Sequence, residues 1–143
     1  MELNILRADP AGNITVFVLD PVEKAQRAAI AEKIMAIPAL KAEQVGYACT
    51  AEDDVDGHME MMGGEFCGNA TRAYGMYIAQ QKGGLSSVRL RVSGCDHAVT
   101  AQVDLKSGTA RAEMPCPRSV KRVTVNGHEG TLVDLTGIAH FVV

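Results

Sequence analysis

The sequence has no tryptophan, and its aromatic residues make up only 4% of 143 positions. That is too few for the stacked-aromatic platform that holds single-stranded nucleic acid. The net charge of −3 gives no basic field for a phosphate backbone or an anionic membrane surface. The densest basic cluster, Arg118 to Arg122, is short and reads as a solvated loop edge. No apolar run approaches the about 20 residues needed to span a bilayer. Met1-Glu2-Leu3-Asn4 has neither the basic region nor the apolar stretch of a signal peptide. Cys49, Cys67, Cys95 and Cys116 lie far apart, with no CxxC pair. A cytoplasmic protein with reduced thiols is the expectation, with no nucleic acid or membrane as partner. Zinc is not expected either: Cys95 and His97 are neighbours, but no second close pair completes a site.

What is present describes a globular domain. Hydrophobic residues make up 47% and charged residues 22%, and the core must rest on Val, Ile, Leu, Ala and seven Met. The length suits one real core. Leu3–Arg7 and Ile14–Leu19 read as strands around the turn Asp9-Pro10-Ala11-Gly12-Asn13. Asp20-Pro21 reads as an N-cap and first helical residue, with a helix through Met35 that Pro38 closes off. Gln44–Ala48 and His58–Met62 read as strands flanking an acidic loop, Glu52–Gly57. A second helix is expected over Gly68–Gln81, closed by Lys82-Gly83-Gly84. Strands follow at Val88–Val92, His97–Val103, Thr109–Met114, Val120–Val125, His128–Asp134 and Ile138–Val143. Lys106-Ser107-Gly108 and Asn126-Gly127 are hairpin turns. Many short strands with two helices predict an α+β, mostly antiparallel domain. Met114-Pro115-Cys116-Pro117 is the expected boundary between residues 1–117 and a second unit over 118–143.

Gly63-Gly64-Glu65-Phe66-Cys67-Gly68-Asn69-Ala70-Thr71-Arg72 is the segment richest in chemistry. It places a cysteine on a glycine-rich bend that opens into a helix. A thiol there meets unpaired backbone N–H groups and the positive end of the helix dipole, both of which favour a thiolate. The same N–H groups can grip a carboxylate. The plain alternative is a thiol packed as a small hydrophobe. The close backbone approach that glycines permit on both sides is more than such packing needs.

Three stretches resemble the diaminopimelate-epimerase-like superfamily of cofactor-independent amino-acid racemases and epimerases. They are Gly12-Asn13 before a strand, Cys67-Gly68-Asn69 opening a helix, and the strand run from Val88 to Met114-Pro115. Leu135-Thr136-Gly137-Ile138-Ala139-His140 extends the likeness. Glu65–Thr71, Pro10–Thr15 and Val92-Ser93-Gly94-Cys95 are most similar to the histidine-racemase branch, which supplies D-histidine for opine-type metallophores. Met61-Met62-Gly63-Gly64 stands where diaminopimelate epimerases usually carry an asparagine-bearing loop, which argues against diaminopimelate as substrate.

The resemblance implies a half-domain of strands wrapped around a central helix. It implies a cleft between two halves, one cysteine from each half, and no pyridoxal phosphate or metal. Cys67 is then the acid/base residue. Gly68, Asn69 and Ala70 bind the substrate carboxylate through backbone N–H groups, and Asn13 contacts the amino or carboxylate group. The second cysteine motif is absent from these 143 residues. Cys95 sits at a strand end and Cys116 between prolines, so neither fills that role. The chain is therefore expected to be an N-terminal half whose partner is the missing C-terminal half. Pairing of two copies, which would bring two Cys67 thiols to one cleft, is the homodimer alternative. Glu65 is expected on a solvated face or bonded to its loop, Asn13 alternatively in an Asx turn, and His140 packed within an apolar strand. An isomerase of the same fold acting on another small acid, or a non-catalytic amino-acid-binding half, are the competing functions.

Overall fold

The computed structural model describes residues 2–143. Seven strands form one mixed sheet in sequence order: β1 (Ile5–Ala8), β2 (Thr15–Val18), β3 (Gln44–Cys49), β4 (Gly57–Met61), β5 (Ser87–Val92), β6 (Val99–Asp104) and β7 (Thr109–Ala112). Strands β8 (Ser119–Val125), β9 (His128–Leu135) and β10 (Ile138–Val142) form a separate antiparallel sheet with β9 in the middle. The strand pairs are antiparallel except β2·β3 and β4·β5. Those two parallel pairs require crossovers, and the helices α1 (Lys24–Met35) and α2 (Gly68–Gln81) supply them. The architecture is α+β and mostly antiparallel, as expected.

Each helix covers a different face of the large sheet. Val16, Val18, Val45 and Tyr47 pack with Ile30, Ala31 and Ile34 of α1. Phe17 points the other way and meets the Tyr74 ring of α2 at a tilt of 42°, with ring centroids 5.5 Å apart. This explains why β2 is buried along its whole length rather than alternately. The face over α2 holds Met59, Val88, Leu90, Val99 and Ala101, and it forms the larger core. Gly75 lets α2 sit close: a Cβ there would lie 2.8 Å from the Ala101 Cβ. The strands from β4 to β7 thus curl around α2, whose first residue follows Cys67 directly.

Local signals located most elements, with shifts at their ends. Helix α2 runs from Gly68 to Gln81 as expected. Helix α1 starts at Lys24, not at Pro21, and Glu23 caps it without a side-chain bond. The carboxylate expected to cap it, Asp20, instead accepts the backbone and side-chain N–H groups of Asn4. These bonds hold its carboxyl below the usual aspartate range. Strand β6 starts at Val99 and β7 ends at Ala112, both short of the expected His97 and Met114. The acidic loop is stapled by charge: Glu52 and Asp54 face Arg91, and Asp56 faces Lys82. Among the described residues no helix is long and apolar enough to cross a membrane.

Candidate functional site

Cys67 is the N-cap of α2, in extended conformation (φ −129°, ψ 110°). Its backbone oxygen accepts from Thr71 N at 2.9 Å and Thr71 Oγ1 at 2.8 Å, which fixes the first turn beneath it. Its sulfur takes an N–H from Ala70 at 3.4 Å and one from Gln44 Nε2 at 3.3 Å. Two donors therefore converge on a half-buried Sγ, where they add to the positive end of the α2 dipole. Gly68 and Asn69, the first two helical residues, belong to the turn whose N–H groups have no intrahelical acceptor.

The bend before Cys67 is pinned from below. Gly64 takes the left-handed turn conformation, with φ +74°. Ser93 Oγ accepts from Met61 N at 2.8 Å and donates to Glu65 O at 2.7 Å, tying the turn after β5 to the cysteine loop. Gly94 lies directly under the Glu65–Phe66 peptide, and only a residue without Cβ fits there. Gly137, in the β9–β10 turn, lies against the same loop: a Cβ on it would be 3.1 Å from Gly64 O.

Cys67 opens onto a cleft of about 750 Å³. It is lined by the start of α2 with Gln44 and Glu65, and by β7, Met114 and the β9–β10 residues Leu135, Ile138 and His140. Met114 Sδ sits over Gly68, 3.0 Å from where a Cβ would stand. His140, expected to pack within its strand, is exposed and faces this cleft. A strand at the outer side of a three-stranded sheet leaves it without a covering layer. The Glu65 side chain folds back over Gly63, and its backbone holds the Ser93 bond.

Asn13 lies in the turn Asp9–Asn13, which is held by Gly12 N donating to Asp9 Oδ1 at 2.8 Å. Its Oδ1 accepts from Gln44 Nε2 at 2.9 Å and from Asn69 Nδ2 at 3.2 Å. The expected residues Asn13, Cys67, Gly68, Asn69 and Ala70 are thus brought together. Gly68 and Asn69 line the cleft; Asn13 stands behind it and reaches it through Gln44 and Asn69, and the Ala70 N–H is turned toward the Cys67 sulfur. Thr15, Arg72 and Ser93 stand in the short motifs that the sequence singles out, without a role assigned to them there; Gln44, read only as the start of a strand, is the site residue for which the sequence offers no sign.

Among the described residues two other clusters carry possible metal ligands. Cys49, His58 and Glu60 lie together, but Arg27 donates to both Cys49 and Glu60 and already supplies the positive charge there. Cys95, Asp96 and His97 form a second group at the surface. Its shortest link is between His97 Nδ1 and Asp96 Oδ1, 2.8 Å, a bond that raises the imidazole above its ordinary range.

The family model described as the histidine racemase CntK N-terminal domain matches residues 2–143. The chain belongs to this family. A histidine racemase of Fusobacterium nucleatum subsp. nucleatum is 32% identical over 149 residues, covering 98% of this chain and 54% of that protein. The histidine racemase of a second strain of that subspecies is 30% identical, with the same coverage. A histidine racemase of Staphylococcus aureus (strain Mu50) is 32% identical over 122 residues, covering 82% of this chain and 44% of that protein. The chain spans about half the length of the curated relatives it matches. In this member of the family Cys67 and Gly68 both line the cleft of about 750 Å³.

Proposed function

We propose that this chain is the N-terminal half of a cytoplasmic histidine racemase that works without pyridoxal phosphate or metal, with Cys67 as one of two proton-transfer groups. The observation that carries this reading is the Cys67 sulfur at the α2 N-cap, receiving two N–H donors at the mouth of an open cleft. A Cα–H is a weak acid, so a base must meet it where developing negative charge is stabilised. Preorganised N–H dipoles at a helix start do this without reorganising during the reaction. The Cys67 thiolate takes the α-proton and becomes a thiol, leaving the electron pair on Cα and its carboxylate. A thiol on the opposite face, from the C-terminal half, delivers a proton to that pair and becomes a thiolate. The configuration inverts and no atom is gained or lost. Gly68 and Asn69 offer N–H groups to the carboxylate, and Asn13 orients the amino end through its neighbours.

The same proposal divides the chain at residue 117 and makes β8–β10 the opening of the second unit. Exposed Val120, Val125, Phe141 and Val142 fit coverage by that C-terminal half. D-histidine for an opine-type metallophore is the corresponding product. The test is conversion of L-histidine to D-histidine by the protein carrying both halves, followed by chiral chromatography. Cys67→Ser is expected to lose about 100-fold or more. Wild-type turnover in that variant rejects the reading.

A further inference from the structure

We propose that Glu43 and Arg72 are positioning residues that set the direction of a chain of side-chain amides, so that Gln44 presents N–H rather than oxygen to the Cys67 sulfur. The inference rests on the reading that Cys67 acts as a thiolate. A side-chain amide fits its site equally well in either of two orientations, and its hydrogen-bond partners decide between them. A guanidinium only donates and a carboxylate only accepts, so a charged group at each end of an amide chain removes the choice.

Arg72 Nη2 donates to Asn69 Oδ1 at 2.8 Å. The Asn69 Nδ2 must then face Asn13, and it donates to Asn13 Oδ1 at 3.2 Å. From the other end, Asn13 Nδ2 donates to Glu43 Oε2 at 3.2 Å. Both ends therefore turn the Asn13 oxygen toward Gln44. Gln44 meets it with Nε2 at 2.9 Å, and the same NH2 group reaches Thr15 Oγ1 at 2.8 Å and Cys67 Sγ at 3.3 Å, so that its two hydrogens serve three acceptors and the sulfur shares one of them. Reversing Asn13 would put its NH2 against Gln44 and draw the Gln44 oxygen around. Cys67 would lose a donor.

Neither end residue is occupied elsewhere. Glu43 and Arg72 take part in none of the ion pairs among the described residues. Arg72 lines the cleft and holds a buried Nε without an acceptor.

The test is the rate of iodoacetamide alkylation at Cys67 near neutral pH, resolved by peptide mass spectrometry. Exposed Cys116, outside the chain of amides, is the internal reference. Glu43 is exposed, so Glu43→Gln spares the core. By charge alone, removing a carboxylate favours the thiolate and speeds alkylation. The amide chain predicts the opposite sign: a slowing of about threefold to tenfold, the loss of one donor to a charged sulfur shared with other bonds. Arg72→Gln is expected to slow Cys67 similarly, and Arg72→Lys, still donor-only, to stay within about twofold of wild type. An unchanged or faster Glu43→Gln, or an Arg72→Lys as slow as Arg72→Gln, overturns the proposal. Because alkylation is read without substrate, a failure of the racemase reading leaves this comparison standing. Conversely, reversed alkylation effects in a chain whose racemisation needs Cys67 reject only the amide chain.

Discussion

Substituting alanine at Gly94 and at Gly127 separates two costs that a sequence confounds. Both glycines are left-handed, with φ +69° and +80°. Alanine in that region costs about 1 kcal/mol at either position. At Gly127 nothing lies within 4 Å of a new Cβ. At Gly94 the Cβ would fall on Phe66 N, 2.7 Å from Glu65 C and 2.9 Å from Phe66 Cα. These are backbone atoms of the loop that Ser93 Oγ ties down, so no rotamer change relieves the clash. Forced overpacking adds about 1–3 kcal/mol. Gly94→Ala should therefore lose about 2–4 kcal/mol and Gly127→Ala about 1 kcal/mol. Urea unfolding with a common slope measures both. The displaced loop leads into Cys67, so Gly94→Ala should also change the Cys67 alkylation rate while Gly127→Ala leaves it unaltered. Equal losses in the two variants would refute the claim that the turn after β5 supports the cysteine loop.

Burial pushes the Tyr74 hydroxyl up to about 12, with Tyr77 beside it adding to the shift. The folded state then binds one proton more than the unfolded chain between about pH 10 and 12, so stability is whole below pH 10 and falls by about 2–3 kcal/mol across that interval. Tyr74→Phe should flatten that alkaline decline; an identical slope in the variant would assign the decline to another group. Arg27 bonds Glu60 and Cys49 and stacks on the Tyr47 ring at 5.1 Å. Arg27→Ala should cost about 1–3 kcal/mol in thermal or urea unfolding, and a loss below about 0.5 kcal/mol would mean that the ion pair is screened as at an open surface.

The parts of this molecule that were legible in its sequence are those governed by neighbours in the chain. Helix α2 declared both ends, because Cys67-Gly68 opens it and Lys82-Gly83-Gly84 closes it, with Gly83 and Gly84 both left-handed. The hairpin at Asn126-Gly127 has the positive φ values that such a pair favours. The start of α1 lies beyond a local reading because Asp20 answers to Asn4, sixteen residues away, rather than to the helix that follows it. The site divides in the same way. Cys67, Asn69 and Asn13 stand in recognisable short motifs. Gln44 does not, since its role comes from the parallel register that puts it opposite Thr15. That register depends on a crossover through α1, and no spacing rule in the sequence encodes it. Arg72 and Glu43 are likewise brought into one network by β2, β3 and α2 meeting, a tertiary event that no local window contains.

The central claim is that the Cys67 sulfur removes the proton from an amino-acid Cα. Exchange of that proton with heavy water, followed by NMR on L- and D-histidine with the protein carrying both halves, reads this step directly. The account predicts that exchange occurs and that Cys67→Ala abolishes it for one enantiomer, the one whose Cα–H faces this half. Exchange of both enantiomers at the wild-type rate in Cys67→Ala would contradict it and place the base elsewhere in the cleft.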